Sequence, residues 1–206
     1  MLRHTALFLL GETVTAADRQ AMLDGLASLF TECPTVRGGD YGEALPGDDG
    51  AGRYDVALHL DFDGLDEYEE YVAHPVHVAV SSFNATLAVE GTTARIDWEH
   101  DRPAAAGAVR HCEVLEWNRV ADASARRAAL DTAASIAVAD GVVSAVAAEN
   151  AGRDRRAAHW ILDVELADET AARSFLTGAG YREVAAVVAP AVDGSRTAWI
   201  THLVRR

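Results

Sequence analysis

The segment LDEYEEYVAHPVH, residues 65–77, sets one phenol, Tyr71, close in sequence to two imidazoles, His74 and His77. Another imidazole, His4, lies on the first apolar run, RHTALFLL. An imidazole that titrates near neutrality can take a proton from a carbon α to a carbonyl. A neighbouring phenol can orient that imidazole, or donate to the enolate oxygen as it forms. Acid–base help of this kind is worth ~10²–10⁴-fold, and holding a flexible substrate in a reactive, curled conformation contributes as much or more. Such chemistry needs no metal, flavin or nicotinamide, and no cofactor is expected.

Each of these residues also has a purely architectural reading. Tyr71 and His77 could be a hydrogen-bonded pair that anchors a helix junction, and His4 could bond a carbonyl inside a sheet. His74 reads as an exposed or capping residue. His74 and His77 are three apart, with His59, Asp61 and Asp63 nearby in sequence. Pro75 disturbs the one-face geometry a metal would need, however, and no third ligand is set by spacing, so no metal site is expected. The acidic run Asp61, Asp63, Asp66, Glu67, Glu69 and Glu70 reads as a solvated helix face. Cys33 and Cys112 lack a CxxC partner and read as reduced thiols of a cytoplasmic protein.

Positioning these groups requires a particular set of elements, and the chain supplies it twice. Arg3-His4 opens the first half and Arg110-His111 the second, each before a largely apolar run. From residue 53 onward a constant shift of 104 aligns the halves without a gap, setting RYDVALHLDF on AAHWILDVEL and TTARIDW on RTAWITH. Residues 1–100 and 110–206 are therefore read as two repeats, joined by a small-residue linker over 101–109. Each repeat reads β-α-β-β-α-β. In the first, strands are expected at 3–10, 35–43, 53–62 and 92–99, with helices at 15–32 and 64–87. In the second, strands are expected at 110–117, 141–149, 157–166 and 196–204, with helices at 121–138 and 168–190.

Pro75 biases His74 away from helical geometry and suits the first turn of a new helix, so a break is expected near 73–74. In the third strand, Val56, Leu58, Leu60 and Phe62 share one face and Asp55, Ala57, His59 and Asp61 the other. The apolar face is expected on the helices. The mixed face would meet the other repeat inside a barrel, in a paired network with Arg95 and Asp97. The fold class is thus α+β: two ferredoxin-like repeats closing into an intramolecular, pseudo-dimeric α+β barrel.

Composition removes several function classes. All 18 basic residues are Arg; without a lysine there is no Schiff-base chemistry and no P-loop. A net charge of −14 argues against nucleic acid and anionic membrane as partners. No apolar run approaches the ~20 residues that span a bilayer, and the apolar start reads as a strand rather than a leader.

Taken together, RHTALFLL, the Cys-Pro-Thr-Val turn, YDVALHLDF and above all YxxHPxH resemble the stress-responsive A/B barrel (Dabb) family, part of the dimeric α+β barrel superfamily. Members usually pair two chains into one barrel; this chain resembles both subunits in tandem, with a possible further homodimer of the whole. The second half has lost YxxHPxH, with Phe175, Gly178 and Tyr181 at the positions of Tyr71, His74 and His77. Resemblance to the family's plant polyketide cyclases implies His77 and Tyr71 as the catalytic pair, His4 as an auxiliary polar contact, and a small carbonyl or polyketide-like substrate. The same resemblance sets Val56 where those cyclases have a pocket histidine and Leu26 where they have a helix tyrosine. With His74, Leu58 and Phe83 these complete the expected substrate lining. A non-catalytic ligand-binding barrel and a cofactor-free monooxygenase are the alternatives the family leaves open.

Overall fold

The computed structural model describes residues 1–47, 50–101, 107–154 and 158–206. The first half runs β1 (Leu2–Phe8), α1 (Ala16–Glu32), β2 (Gly38–Glu43), β3 (Val56–Phe62), α2 (Leu65–Ala73), α3 (Pro75–Leu87) and β4 (Ala94–Glu99). The second repeats this order as β5 (Val109–Leu115), α4 (Ala123–Ala134), β6 (Val142–Glu149), β7 (Trp160–Leu166), α5 (Glu169–Thr177), α6 (Ala179–Val188) and β8 (Ala198–Leu203). Each half is a four-stranded antiparallel sheet, ordered β2-β3-β1-β4 in one and β6-β7-β5-β8 in the other. Two ferredoxin-like halves make up the α+β fold.

Several boundaries move for local reasons. Strand β2 begins at Gly38 rather than 35, because Pro34 and Thr35 form a turn after α1. Helix α4 stops at Ala134 and tightens into a 3₁₀ turn over Ser135–Val138. Of the expected linker, residues 102–106 lie outside the described residues, as do Asp48 and Asp49 of the turn-rich GDDGAG segment. Ala108 is already bonded to Leu166 and Val204 at the start of the second sheet. Helix α1 starts at a reciprocal capping box, Thr15 with Asp18, a device typically worth about 1 kcal/mol.

The two sheets close on each other at both edges. On one seam Tyr41 and Arg205 exchange backbone hydrogen bonds of 3.0 and 2.9 Å, joining β2 to β8. On the other, Ala151 and Ala158 donate to the carbonyls of Asp97 and Arg95 on β4, at 2.7 and 2.9 Å. Pairing across both seams is how a barrel removes the edge problem. Strand parity then sorts the side chains. Val56, Leu58, Leu60 and Phe62 pack under the helices with Leu26 and Leu29 of α1. Leu7, Ala57, Ile96 and Trp98 face inward against Cys112, Val114, Ile161 and Ile200 of the other half. Beside that apolar layer lies a buried polar layer, in which Arg110 bonds Asp163, Asp40 and Glu165. Arg3 is bidentate to Asp61 at 2.6 and 2.8 Å in the same layer.

The expected placement of β3 therefore holds for His59 and Asp61, but β4 is the reverse of what was expected. Ile96 and Trp98 point into the barrel, while Arg95 and Asp97 point out toward the helices. Asp55 also lies outside the barrel network, and its carboxylate accepts from the Leu10 backbone at 2.8 Å. No helix among the described residues is long and apolar enough to cross a membrane.

Candidate active site

Between the first sheet and its helices lies a cavity of about 390 Å³, a size that encloses a small organic molecule. Its base is apolar, formed by Ala6, Phe8, Leu26, Leu29 and Leu58. The polar groups gather on one wall, where the α2–α3 junction meets β1 and β4.

The junction is built by Pro75. It occupies the first position of α3, with His74 as the N-cap at φ −66° and ψ 134°. In an unbroken helix the Val72 carbonyl would accept from the Val76 N–H. Here that N–H turns to Nδ1 of His74 at 3.4 Å, and the freed Val72 carbonyl accepts from Nδ1–H of His77 at 2.9 Å. A carbonyl can only accept, so the His77 proton sits on Nδ1 and Nε2 carries the lone pair. Partial burial lowers the His77 pKa against the opposing Val72 hydrogen bond, and Arg95 adds to the lowering, so the ring is a neutral base at pH 7.

Tyr71, buried on the inner face of α2, lies with its ring 4.4 Å from the His77 ring. It also packs on Phe62 at 5.1 Å, and burial pushes its pKa up, keeping it an O–H donor. On the sheet, the register sets His4 opposite Asp97, and Nδ1 of His4 lies 2.6 Å from the Asp97 carboxylate. Tyr68 lies near the same carboxylate and packs its ring 5.1 Å from His4. Burial followed by the nearby negative charge of Asp97 pushes the Tyr68 pKa up as well. One continuous wall thus runs His4, Tyr68, Tyr71, His77. Asn84, only 2% exposed, faces the cavity from α3 with its side-chain oxygen unpartnered. At the mouth, Arg153 of the second half pairs with Glu69 of α2.

The fold brings together His4, Tyr71, His77, Leu26 and Leu58. Three other expected lining residues lie elsewhere. His74 caps α3, with its ring nitrogen 3.5 Å from the Cys33 sulfur, because the Pro75 break turns it away from His77. Val56 is sealed in the core beneath the helices, and Phe83 is 39% exposed on the outer side of α3. Sequence reasoning missed Tyr68, Asp97, Asn84 and Arg95. Tyr68 was within reach, since it sits three residues before Tyr71 on the same helix face. Asn84 carries no spacing signal at all. His74 and His77 do not converge on a metal; among the described residues the His/Cys/Asp/Glu group placed to do so is Asp40, His59 and His202, inside the barrel.

The equivalent region of the second half is filled. Glu113 occupies the place of Ala6, each pairing with the matching leucine of the third strand and with Trp199 or Arg95 of the fourth. Its carboxylate accepts from Tyr181 at 2.6 Å and lies 3.2 Å from Nε2 of His111. His111 Nδ1 bonds Thr201, the counterpart of Asp97, at 2.9 Å. Trp160 lies apart from this cluster and stacks on Trp117 at 4.9 Å in the core.

Residues 2–99 match the family model described as the stress responsive A/B barrel domain. No curated protein matches the sequence. Solved structures resemble the chain over both halves. An anthrone oxidase-like protein superposes with a TM-score of 0.71 at 12% identity, covering 100% of this chain and 91% of that one. A monooxygenase-like protein from Fusobacterium nucleatum gives 0.59 at 9% identity, covering 100% and 92%. One from Lactobacillus acidophilus gives 0.56 at 12% identity, covering 98% and 93%. At these identities the likeness establishes the fold and nothing about the reaction.

Proposed function

We propose, from the premise that residues 2–99 belong to the stress-responsive A/B barrel family, that the cavity is an acid–base active site for a small carbonyl compound of polyketide type. The observation that carries the reading is the His77 ring. Its Nδ1 proton is committed to the Val72 carbonyl, which leaves Nε2 unprotonated beside a buried phenol.

Nε2 of His77 takes the proton from a carbon flanked by carbonyls, and the electron pair moves onto the carbonyl oxygen. Tyr71 donates its O–H to that oxygen. The enolate carbon then attacks a second carbonyl of the same molecule, forming one C–C bond. The resulting alkoxide recovers its proton from the His77 imidazolium, so the closure is redox-neutral and needs no other reactant. The Tyr68–Asp97–His4 group and the free acceptor of Asn84 are placed to hold the hydroxyl and carbonyl groups of the curled substrate. The apolar base excludes water, which strengthens each of these contacts.

The test does not require the natural substrate. Simple β-diketones and β-triketones are incubated with the protein in D₂O, and deuterium entry at the α-carbon is followed by NMR. The expected result is accelerated exchange that falls about 10²–10⁴-fold in His77→Ala with the fold retained. Equal exchange in both proteins overturns the acid–base reading, and ligand binding without exchange replaces it with a non-catalytic carrier. Stoichiometric oxygen uptake moves the same deprotonation into a cofactor-free oxidation, the activity class suggested by the anthrone oxidase-like neighbour.

A further inference from the structure

On the opposite face of the first sheet from the cavity, inside the barrel, two imidazoles meet nitrogen to nitrogen. His59 on β3 and His202 on β8 are fully buried, their rings 13° from parallel and their Nε2 atoms 3.3 Å apart. Asp40 on β2, 2% exposed, brings its Oδ1 to 3.9 Å from Nε2 of His202. One ligand atom from each of the three lies within 4.8 Å of the others.

The outer contacts fix how the His202 ring is protonated. Nδ1–H of His202 donates to the Leu203 carbonyl at 3.0 Å, so its Nε2 is a bare acceptor. Nδ1 of His59 lies 3.0 Å from Oγ1 of Thr5, which also accepts from the Trp98 indole at 3.1 Å. The Thr5 hydroxyl can accept from Nδ1 of His59 or donate to it, so the gap between the two Nε2 atoms suits either a hydrogen bond from His59 to His202 or a cation. The hydrogen bond would satisfy the histidines alone and would leave Asp40 Oδ1 without a hydrogen-bond partner, as it stands. A cation reaches all three atoms.

Geometry and charge agree on what that cation is. Two imidazole nitrogens bound at about 2.0–2.1 Å to one tetrahedral ion stand about 3.3 Å apart. Two imidazoles with one carboxylate select a first-row transition ion over magnesium or calcium. The other oxygen of Asp40 is held by Arg110 at 2.8 Å, an outer-sphere contact of the kind that orients ligating carboxylates. The buried layer is rich in carboxylates, with Asp40, Asp61, Asp163 and Glu165 around Arg3, Arg110 and His100. The backbone is shaped for the approach. A Cβ on Gly42 would lie 2.0 Å from the Leu203 carbonyl oxygen and 2.5 Å from Nδ1 of His202.

We propose that Asp40, His59 and His202 form a buried site for a divalent transition-metal ion, which staples the two halves of the barrel together. Two ligands come from the first half and one from the second, so the ion crosses the β2–β8 seam. The site is separate from the cavity: Thr5 and His4, adjacent on β1, point to opposite faces of the sheet.

The full chain is stripped with chelator in mild denaturant and refolded with or without zinc chloride. After gel filtration, metal content and thermal midpoint are measured. One zinc per chain is expected, with the midpoint raised by about 5–10 °C at a hundredfold excess over Kd. Asp40→Asn and His202→Gln are each expected to weaken zinc binding at least about a hundredfold. Should either variant fail to fold, cobalt(II) substitution of the natural sequence decides: visible absorption without a thiolate charge-transfer band is expected. The proposal is overturned by substoichiometric zinc with an unmoved midpoint, by zinc retained in both folded variants, or by a cobalt–thiolate band from Cys33 or Cys112.

Discussion

The same strand position holds Ala6 in one half and Glu113 in the other, and the space around it differs accordingly. Around Ala6 there is room for a small molecule, and the polar groups of the wall, His4, Tyr68, Tyr71 and His77, face that room. Around Glu113 the carboxylate has drawn in Tyr181 and His111, and the three close on one another with Thr201. Both halves keep the strand histidine, yet at this position the first leaves Nε2 of His77 and the side-chain oxygen of Asn84 unspent, while in the second His111, Glu113, Tyr181 and Thr201 bond one another. A fold repeated within one chain can therefore keep its scaffold twice while opening a polar-walled cavity in one copy and filling the matching space in the other. What separates site from filler is whether the buried polar groups satisfy each other or await a ligand.

Transplanting the filler is the strongest way to break this comparison. Ala6→Glu sets a carboxylate among His4, Tyr68 and His77, where it fills the cavity and competes for the same donors. Ligand binding and α-carbon exchange are expected to fall as far as in His77→Ala, about 10²–10⁴-fold, with the circular dichroism spectrum preserved. Undiminished binding by this variant would move the ligand site out of the cavity altogether.

The repeat, the helix break and both sheets were legible because each leaves a periodic or punctuated trace. Alternation sorted β3, Pro75 ended α2, and a constant shift tied the halves together. The misplacement of Asp97 and Arg95 has a physical cause. The barrel interior is polar at the level of His59 and Asp61 but apolar at the level of Leu7, Ala57 and Ile96, so polarity on one strand does not identify the inward face of the next. Reading inward faces from the bulkiest apolar pair, Ile96 and Trp98, would have set Asp97 beside His4. Asn84, Arg153 and the Asp40–His59–His202 group depend on contacts between distant segments, and no local pattern announces those. Gly42 is a partial exception, since its backbone lies too close to His202 for any side chain.

A smaller effect sharpens the comparison from the other side. Glu113→Gln keeps the shape of the second-half cluster but removes the charge that Tyr181 and His111 share. A hydrogen bond to a charged group contributes about 1.5–3 kcal/mol, and for a chain of this size each kcal/mol moves the midpoint by about 2–4 °C. A fall in midpoint of that order is expected, with α-carbon exchange unchanged. Lost exchange in a folded Glu113→Gln protein would mean that the second half takes part in the chemistry.

The smallest effect is a displaced pH profile, and its sign follows from the groups around His77. Burial comes first among the causes that lower its pKa, and the Val72 carbonyl works against that shift. Arg95, exposed at the cavity edge, adds to the lowering by repelling the protonated ring. The base works only when neutral, so kcat/KM is expected to rise with pH through an inflection below 6.5, the ordinary value for histidine, and then to level off. Arg95→Gln removes a nearby positive charge and moves that inflection upward, costing activity at mildly acidic pH and none on the plateau. Trp199 stands at the same strand position in the second half, and Trp199→Phe leaves the profile where it was. An inflection that ignores Arg95 would assign the titration to a different group, and His4, held by Asp97 on the same wall, would be the next to test.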